Sequence, residues 1–568
     1  MLRKSFGLAC VLMVLAYVLL AGSGSAVHSG VSVASASEAA AIPSDPSAAH
    51  PNILFILTDD QDVRLDSLDY MPHVKSLLTD KGIDFENFFV TVSLCCPSRS
   101  TIQRGQYAHN TQIYGNSYTA AHPDGGFQKF YKLGEENSTI GTWLHDAGYR
   151  TGLMGKYLNG YPQTFPPGQV PQNYIPPGWD EWDSPTEGQA KPDANCTYDG
   201  PYSEYNYWMN ENGTIVPYKC AASDYMVDVL SGKANTFIQQ AATDHKPFFL
   251  YLATYAPHQP ATPAPRHENL FQGVTAPRPP SFNEPDVSDK PDYIKSRPLL
   301  TPTQVNAIDE LYRNRLRSLQ SVDEMVAHLV DTLQTTGQLD NTYIFFVSDN
   351  GFHMGEHRLN SGKQAPYEED IRVPMIVRGP GVLSGVTRPH LTVNVDLAPT
   401  FADLAGVTPP AFVDGRSLVP LLHANPPGLN DWRCAVLLSH GDVDEAPLQT
   451  NSSLEPPDPM ELEMQRPNAA SAITPFAGLR TVTQTYVDYT TGERELYNLP
   501  TDPYELHNLV NTANPTHLTQ LDDWLTRLST CAGQSCRDIE GNSPWGACVG
   551  YRSFLPHVAD GEGGSDGE

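Results

Sequence analysis

Three apolar runs in the chain are each followed closely by residues able to bind a cation or move a proton. Asn52–Thr58 ends in Asp59-Asp60, Pro247–Ala253 leads to Pro257-His258, and Tyr343–Val347 leads to Asp349-Asn350-Gly351. Three carboxylates and an amide oxygen suit a hard divalent cation, calcium or magnesium, and no Cys or His cluster of zinc spacing stands nearby. Asp-Asp and Asp-Asn-Gly are also turn formers, and singly each reads better as a turn. Together, at equivalent strand ends, they read as a metal site. A fourth segment, Cys95-Cys96-Pro97-Ser98-Arg99, runs to Gly105 through a periodic stretch. It places a thiol at a helix N-terminus, where backbone N–H groups favour an anion. The plainer readings are a structural thiol or half of a disulfide, although vicinal cysteines are hard to bridge to each other. Arg99 follows Cys95 by one helical turn, so the two share a face.

Such groups need a frame to bring them together. Asn52–Thr58, Pro247–Ala253, Tyr343–Val347 and Val373–Val377 are short and continuously apolar, the pattern of strands buried on both faces. Between them lie helical patterns, the clearest over Pro302–Thr336. Thr301, Pro302 and Gln304 supply its cap, first-turn proline and capping-box partner, and Gly337 its stop. Further helices are expected near Pro72–Asp80, Ser138–Ala147 and Ser223–Ala242. Buried strands alternating with helices predict an α/β fold, a mostly parallel sheet sandwiched by helices. The carboxyl ends of its strands would share one rim, where ligands bind. From about Trp432 the pattern alternates, as in Arg480–Tyr489, and a helix follows over Pro515–Leu528. We read residues 51–430 as a catalytic α/β domain and 431–557 as a smaller C-terminal α+β domain with an antiparallel sheet. Tyr161–Lys219 and Pro257–Pro298 are dense in Pro, Gly, Asn and aromatics and read as long loops over the sheet edge. Within the first, Tyr198, Tyr202, Tyr205, Tyr207 and Trp208 either stack on a substrate ring or pack as core.

Composition narrows the class. The 568 residues carry a net charge of −29 with no basic block, which argues against a nucleic-acid partner. Apolar residues at 40% and aromatics at 10% exclude a wholly disordered chain. Arg3 and Lys4, the apolar run Phe6–Ala21 and the small residues Gly22–Ala26 have the order of a secretory signal peptide, assigned to residues 1–26. That run is short for a membrane span and nothing later approaches one, so a secreted protein with no stable membrane association is expected. Residues 27–50 read as a disordered linker and 558–568 as a disordered acidic tail. Asn137, Asn195, Asn212 and Asn451 head glycosylation sequons. Eight cysteines remain once Cys10 leaves with the signal. Cys531, Cys536 and Cys548 crowd the C-terminus, and Cys196 and Cys220 bracket a loop-like region. Disulfides are expected, with pairings that spacing leaves open.

Cys95-Cys96-Pro97-Ser98-Arg99 with Gly105 resembles the Cys-x-Pro-Ser-Arg signature of the type I sulfatases, whose first cysteine a formylglycine-generating enzyme oxidises to Cα-formylglycine. The resemblance continues through Thr58-Asp59-Asp60-Gln61, Gly155-Lys156, Ala256-Pro257-His258, Ser348-Asp349-Asn350-Gly351, Gly362-Lys363, Arg372-Val373-Pro374 and Glu495-Leu496-Tyr497-Asn498-Leu499 with Asp502-Pro503. It looks closest to secreted arylsulfatases and N-acetylglucosamine-6-sulfatases.

The resemblance implies an alkaline-phosphatase-like fold and one Ca2+ per chain, held by Asp59, Asp60, Asp349 and Asn350 beside a formylglycine at Cys95. One hydroxyl of the hydrated aldehyde would attack sulfur; loss of the proton from the second would release sulfate and reform the aldehyde. Arg99 would steady the hydrate and the ligand carboxylates, Lys156 and Lys363 would donate to sulfate oxygens, and His258 would protonate the leaving oxygen. Many members carry a histidine two residues after the lysine of Gly-Lys; here Leu158 stands there, leaving His109, Asn159, His353 and His357 as candidates for its work. A phosphomonoesterase or phosphonate hydrolase of the same superfamily is the competing enzyme class, and a glycan-binding protein with an inactive site the non-enzymatic one. The acidic charge and the lack of a long basic insertion favour small aryl sulfates or sulfated sugars over a polyanionic glycosaminoglycan.

Overall fold

The computed structural model describes residues 50–117, 125–163, 168–441, 458–460 and 472–548. The expected signal peptide, all of the linker except His50, the acidic tail and the Asn451 sequon lie outside them. No helix among the described residues is long and apolar enough to cross a membrane.

A ten-stranded sheet organises the chain. Its strands are β1 (Asn52–Thr58), β2 (Ile83–Phe85), β4 (Arg150–Gly155), β5 (Glu181–Thr186), β6 (Tyr207–Glu211), β7 (Thr214–Tyr218), β8 (Phe248–Ala253), β9 (Thr342–Ser348), β10 (Met375–Arg378) and β11 (Val386–Arg388). Their order is β11-β2-β10-β9-β1-β8-β4-β5-β6-β7. The five central strands, β9 to β5, run parallel; β10, β6 and β7 pair antiparallel with their neighbours. Two short strands, β3 (Phe88–Phe89) and β12 (Thr392–Val393), form a separate parallel pair.

Strands β1, β8 and β9 are buried along their whole length. Alternate side chains of β1 and β9 serve two cores. Phe55, Leu57, Phe345 and Val347 pack with the helices Ile140–Asp146 and Leu397–Leu404. Leu54, Ile56, Ile344 and Phe346 pack with Met226–Asp244 and Pro302–Thr335. That period-2 division explains why these strands read as unbroken apolar runs. The helix Pro302–Thr335 begins as its sequence predicts: Thr301 Oγ1 accepts from Gln304 N at 3.3 Å, and Gln304 Oε1 accepts from Thr301 N at 2.9 Å.

The C-terminal part forms an antiparallel four-stranded sheet, β13 (Ala435–His440), β14 (Phe476–Thr481), β15 (Gln484–Tyr489) and β16 (Arg494–Asn498), with the helix Pro515–Leu528. Its core also takes in Tyr293, Tyr367 and Val393 from earlier in the chain. Arg480–Tyr489, which reads as a single alternating stretch, is the end of β14, the turn and β15 of a hairpin.

Two sequence readings need correction. Tyr161–Lys219 is not only loop: it supplies β5, β6 and β7, which extend the large sheet by three strands. Its prolines hid them, yet Pro217 sits on the edge strand β7, where a missing N–H breaks no interior ladder. Val373–Val377 is shifted to Met375–Arg378 and pairs antiparallel with β9. Six cysteines form Cys196–Cys220, Cys434–Cys548 and Cys531–Cys536, leaving Cys95 and Cys96 outside the disulfides.

Candidate active site

The central strands deliver their polar ends to one buried centre. Thr58 of β1 lies in register with Ser348 of β9, so the next residues of each strand, Asp59-Asp60 and Asp349-Asn350, stand side by side. Asp349 Oδ1 accepts from the amides of Asp60 (3.1 Å) and Asn350 (2.8 Å), and Asn350 Nδ2 donates to Asp60 Oδ1 at 2.7 Å. Beyond β8, the turn Ala256-Pro257 carries His258 inward, and Gly155, the last residue of β4, carries Lys156. Only glycine fits at 155: φ is +96°, and a Cβ there would fall 1.8 Å from the Ala253 carbonyl oxygen.

The helix Cys95–Arg104 closes the centre from the opposite side, with Cys95 in its first turn. The Cys95 sulfur lies 3.4 Å from Asp59 Oδ1 and 3.2 Å from Lys363 Nζ. One turn later Arg99 Nε donates to Asp349 Oδ2 at 2.7 Å and Nη1 to the Lys156 carbonyl at 2.8 Å. Lys156 Nζ donates to Asp59 Oδ2 at 2.5 Å, and Lys363 Nζ to Asp60 Oδ1 at 2.9 Å. His258 Nδ1 sits 2.7 Å from the Gln259 carbonyl oxygen, which can only accept, so Nδ1 is the protonated nitrogen. Nε2 therefore faces the centre, 3.3 Å from Lys363 Nζ and 3.5 Å from Asp60 Oδ2.

None of these side chains is more than slightly exposed. Three aspartates meet three cations pairwise, Asp349 with Arg99, Asp59 with Lys156 and Asp60 with Lys363, which offsets the cost of burying each charge. Burial pushes Asp59 toward the neutral acid, but Lys156, His258, Arg99 and Lys363 prevail and hold it well below the usual carboxylate range. Asp349 goes the other way, pushed up to about 6 by burial and by the Asp59 charge, against the pull of Arg99. Burial raises the Cys96 thiol to about 12, so the second cysteine is no nucleophile.

The donor set fits a hard cation. The side chains of Asp59, Asp60, Asp349 and Asn350 meet in one buried site, and ligand atoms of Asp59, Asp60, Cys95 and His258 all lie within 4.8 Å of one another. Among the described residues, Asn350 Oδ1 is buried with no hydrogen-bond partner, an oxygen that a cation would satisfy.

Every residue singled out above as metal-binding or catalytic is in this cluster. The four candidates for the work of the absent histidine are dispersed. His109 bonds the Cys531 carbonyl, His357 bonds Glu284, and His353 bonds Asp370. Asn159 donates to the Tyr202 hydroxyl at 3.2 Å, His353 pairs through its backbone with Gly362 next to Lys363, and Leu158 is buried in the core. The sequence reading missed Arg315, whose guanidinium donates to the Asp60 carbonyl and lies 3.6 Å from Asp62. A signal existed: Arg315 interrupts the helix stripe Ile308, Tyr312, Leu319, Val322. It also missed Ser98, which donates to the Asp349 carbonyl at 2.5 Å.

Comparison with known proteins supplies a family. The model of the family described as Sulfatase matches residues 51–407. The chain is 36% identical over 401 residues to a putative extracellular sulfatase Sulf-1 homologue of Caenorhabditis elegans, covering 69% of this chain and 53% of that protein. It is 33% identical over 499 residues to human N-acetylglucosamine-6-sulfatase, covering 86% of each. To the arylsulfatase of Volvox carteri it is 35% identical over 537 residues, 88% of this chain and 77% of that one. The chain thus spans about half the length of the nematode relative and 31% of a Drosophila melanogaster extracellular sulfatase homologue. Among solved structures, a protein in complex with its substrate D-glucosamine-2-N,6-O-disulfate shares the fold, with a TM-score of 0.63 and 24% identity over 86% of this chain and 98% of that one.

Proposed function

The chain belongs to the sulfatase family, and on that premise we propose that it is a sulfuric ester hydrolase, cleaving sulfate monoesters to an alcohol or phenol and inorganic sulfate. The observation that carries the reading is the Cys95 side chain, seated in the first turn of a helix against Asp59 and Lys363. Formylglycine made from Cys95 supplies, when hydrated, two hydroxyls on one carbon, a pair that neither a thiol nor a serine offers. Asp59, Asp60, Asp349 and Asn350 would hold Ca2+, which supplies polarisation of sulfate oxygens and a counter-charge for the nucleophile.

The remaining work falls to this chain's own side chains. Lys156 and Lys363 donate to the oxygens on which negative charge shifts as the S–O bond breaks. Both are preoriented by their aspartates, so little reorganisation accompanies the reaction. His258 acts as the imidazolium: it delivers the Nε2 proton to the leaving oxygen and is left as the neutral ring whose Nδ1–H stays on the Gln259 carbonyl. Arg99 fixes Asp349 and the Lys156 carbonyl together and so keeps the two halves of the centre in register. These side chains are all buried, which strengthens each of these interactions.

The natural substrate on this reading is a small aryl or carbohydrate sulfate monoester, such as an N-acetylglucosamine 6-sulfate. The net charge of −29 disfavours a polyanionic chain. We further infer secretion, and a formylglycine-generating enzyme as the maturation partner. Mass spectrometry of the active protein should find formylglycine at position 95, and 4-nitrophenyl sulfate should be turned over faster than 4-nitrophenyl phosphate. An ordinary thiol at 95 in the active enzyme, or a preference for the phosphate, overturns the proposal.

A further inference from the structure

Tyr202 comes from the segment joining β5 to β6, far in sequence from every residue assigned a role above. Its ring lies 4.9 Å from Lys156 Nζ and, centroid to centroid, 4.7 Å from the His258 imidazole. Tyr255 packs edge-on against it at 4.9 Å, and its hydroxyl accepts from Asn159 Nδ2 at 3.2 Å. Tyr202 is only 4% exposed, so these contacts lie in the protein interior.

The segment carrying Tyr202 is fastened from both sides. Two residues on, Glu204 takes a left-handed conformation (φ 63°), and its carbonyl accepts from Met226 N at 3.0 Å. That contact ties the segment to the first residue of the helix Met226–Asp244. Cys196–Cys220 closes the outer part of the same segment. Tyr202 thus stands on a segment anchored to that helix, with Tyr255, three residues before His258, packed edge-on against its ring.

An aromatic face attracts an ammonium group, more strongly where both are dry. Lys156 Nζ is bounded by the Asp59 carboxylate and by this face. His258 is fixed at Nδ1 by the Gln259 carbonyl and along its ring by Tyr202. We propose that Tyr202 is a positioning residue of the centre, its ring face setting the orientation of the Lys156 ammonium and the His258 imidazole toward the sulfate ester. This rests on the roles assigned to those two residues under Proposed function.

The test compares Tyr202→Phe, Tyr202→Leu and Tyr202→Met with the wild type on 4-nitrophenyl sulfate and phenyl sulfate, each protein first shown by mass spectrometry to carry equal formylglycine at position 95. Phe keeps the ring face; Leu and Met keep apolar bulk without it. The expected result is that Phe stays within about threefold of wild type, whereas Leu and Met lose about tenfold in kcat on 4-nitrophenyl sulfate. Their loss on phenyl sulfate should be several-fold larger, because its poorer leaving group depends more on the His258 proton. Leu or Met matching Phe, or equal losses on the two esters, overturns the proposal. Lys156→Ala and His258→Ala are assayed in parallel. Full activity in those two would instead overturn the roles on which the proposal rests.

Discussion

Arg99 Nε and Asp349 Oδ2 meet at 2.7 Å with both side chains sealed from solvent, joining the start of a helix to the end of β9. Burial alone would drive the guanidinium toward its neutral form, but the charges of Asp349 and Asp59 outweigh that and hold it more firmly protonated than usual. Removing one member of such a pair strands the other. Arg99→Met should therefore cost about 3–5 kcal/mol of stability as well as nearly all activity. Arg99→Lys keeps the charge but cannot span both Asp349 and the Lys156 carbonyl, so it should fold and lose about 10²-fold in kcat. Urea denaturation with parallel kinetics measures both; a cost under about 1 kcal/mol for Arg99→Met contradicts the account.

Metal removal has a readout that needs no turnover. If Ca2+ binds the folded centre and not the unfolded chain, an excess of 100 times Kd stabilises by about 2.7 kcal/mol. Calorimetry in chelator and in Ca2+ should show that gap as a rise in Tm, and Asn350→Ala, which deletes the unpartnered Oδ1, should shrink it. A Tm indifferent to Ca2+ in the wild type rules out the proposed ligand set.

The parts of this centre legible in the sequence are those set by local pattern. Asp59-Asp60 and Asp349-Asn350 follow unbroken apolar runs, and such runs announce strands buried on both faces. Cys95 and Arg99 share a helix, so spacing alone relates them. What escaped was non-local. Tyr202 reaches Lys156 because β5 and β6 add to the sheet edge, and neither strand has an alternating pattern to betray it. Five aromatic residues there look alike in sequence. In the structure Tyr207 stacks on Tyr218 and Tyr198 on Tyr205, while Tyr202 alone packs against His258. Disulfide pairing was equally hidden, since Cys434 and Cys548 are 114 residues apart.

His440 on β13 makes the stability pH-dependent in a definite direction. Burial pushes its pKa from 6.5 down to about 4, and its Nδ1 has no hydrogen-bond partner. A base with a depressed folded pKa binds its proton less readily when folded. Its neutral form costs nothing above pH 6.5, and stability is lost as pH falls from there toward 4. At about 1.4 kcal/mol per unit, the loss attributable to this ring is about 3 kcal/mol. His440→Phe should preserve the stacking on Phe476 and flatten the decline between pH 6.5 and 4. Denaturation curves for the two proteins across that range test it, and parallel pH profiles would show that His440 is not the group responsible.

Arg433 offers the contrast to Arg99, an equally buried guanidinium remote from the chemistry. It donates to both carboxylate oxygens of Asp396, at 2.5 and 2.7 Å, and to Glu540 Oε2 at 2.8 Å. Glu540 also accepts from Arg416 at 2.8 Å and from the Tyr107 hydroxyl. Arg433 stands two residues before β13, Asp396 precedes the helix Leu397–Leu404, and Glu540 lies on the helix Gln534–Gly541. The network thus fastens the antiparallel sheet to the parallel one. Arg433→Met strips Asp396 of its paired cation in a buried place, leaves Glu540 with Arg416 alone, and should cost about 3–5 kcal/mol. Because no atom of the network belongs to the centre around Cys95, kcat of the folded variant should stay within about twofold of wild type at low temperature. Full stability in Arg433→Met would show that the network holds nothing together. A collapse of kcat in a variant that is still folded would mean that the C-terminal sheet acts on the chemistry as well as on the fold.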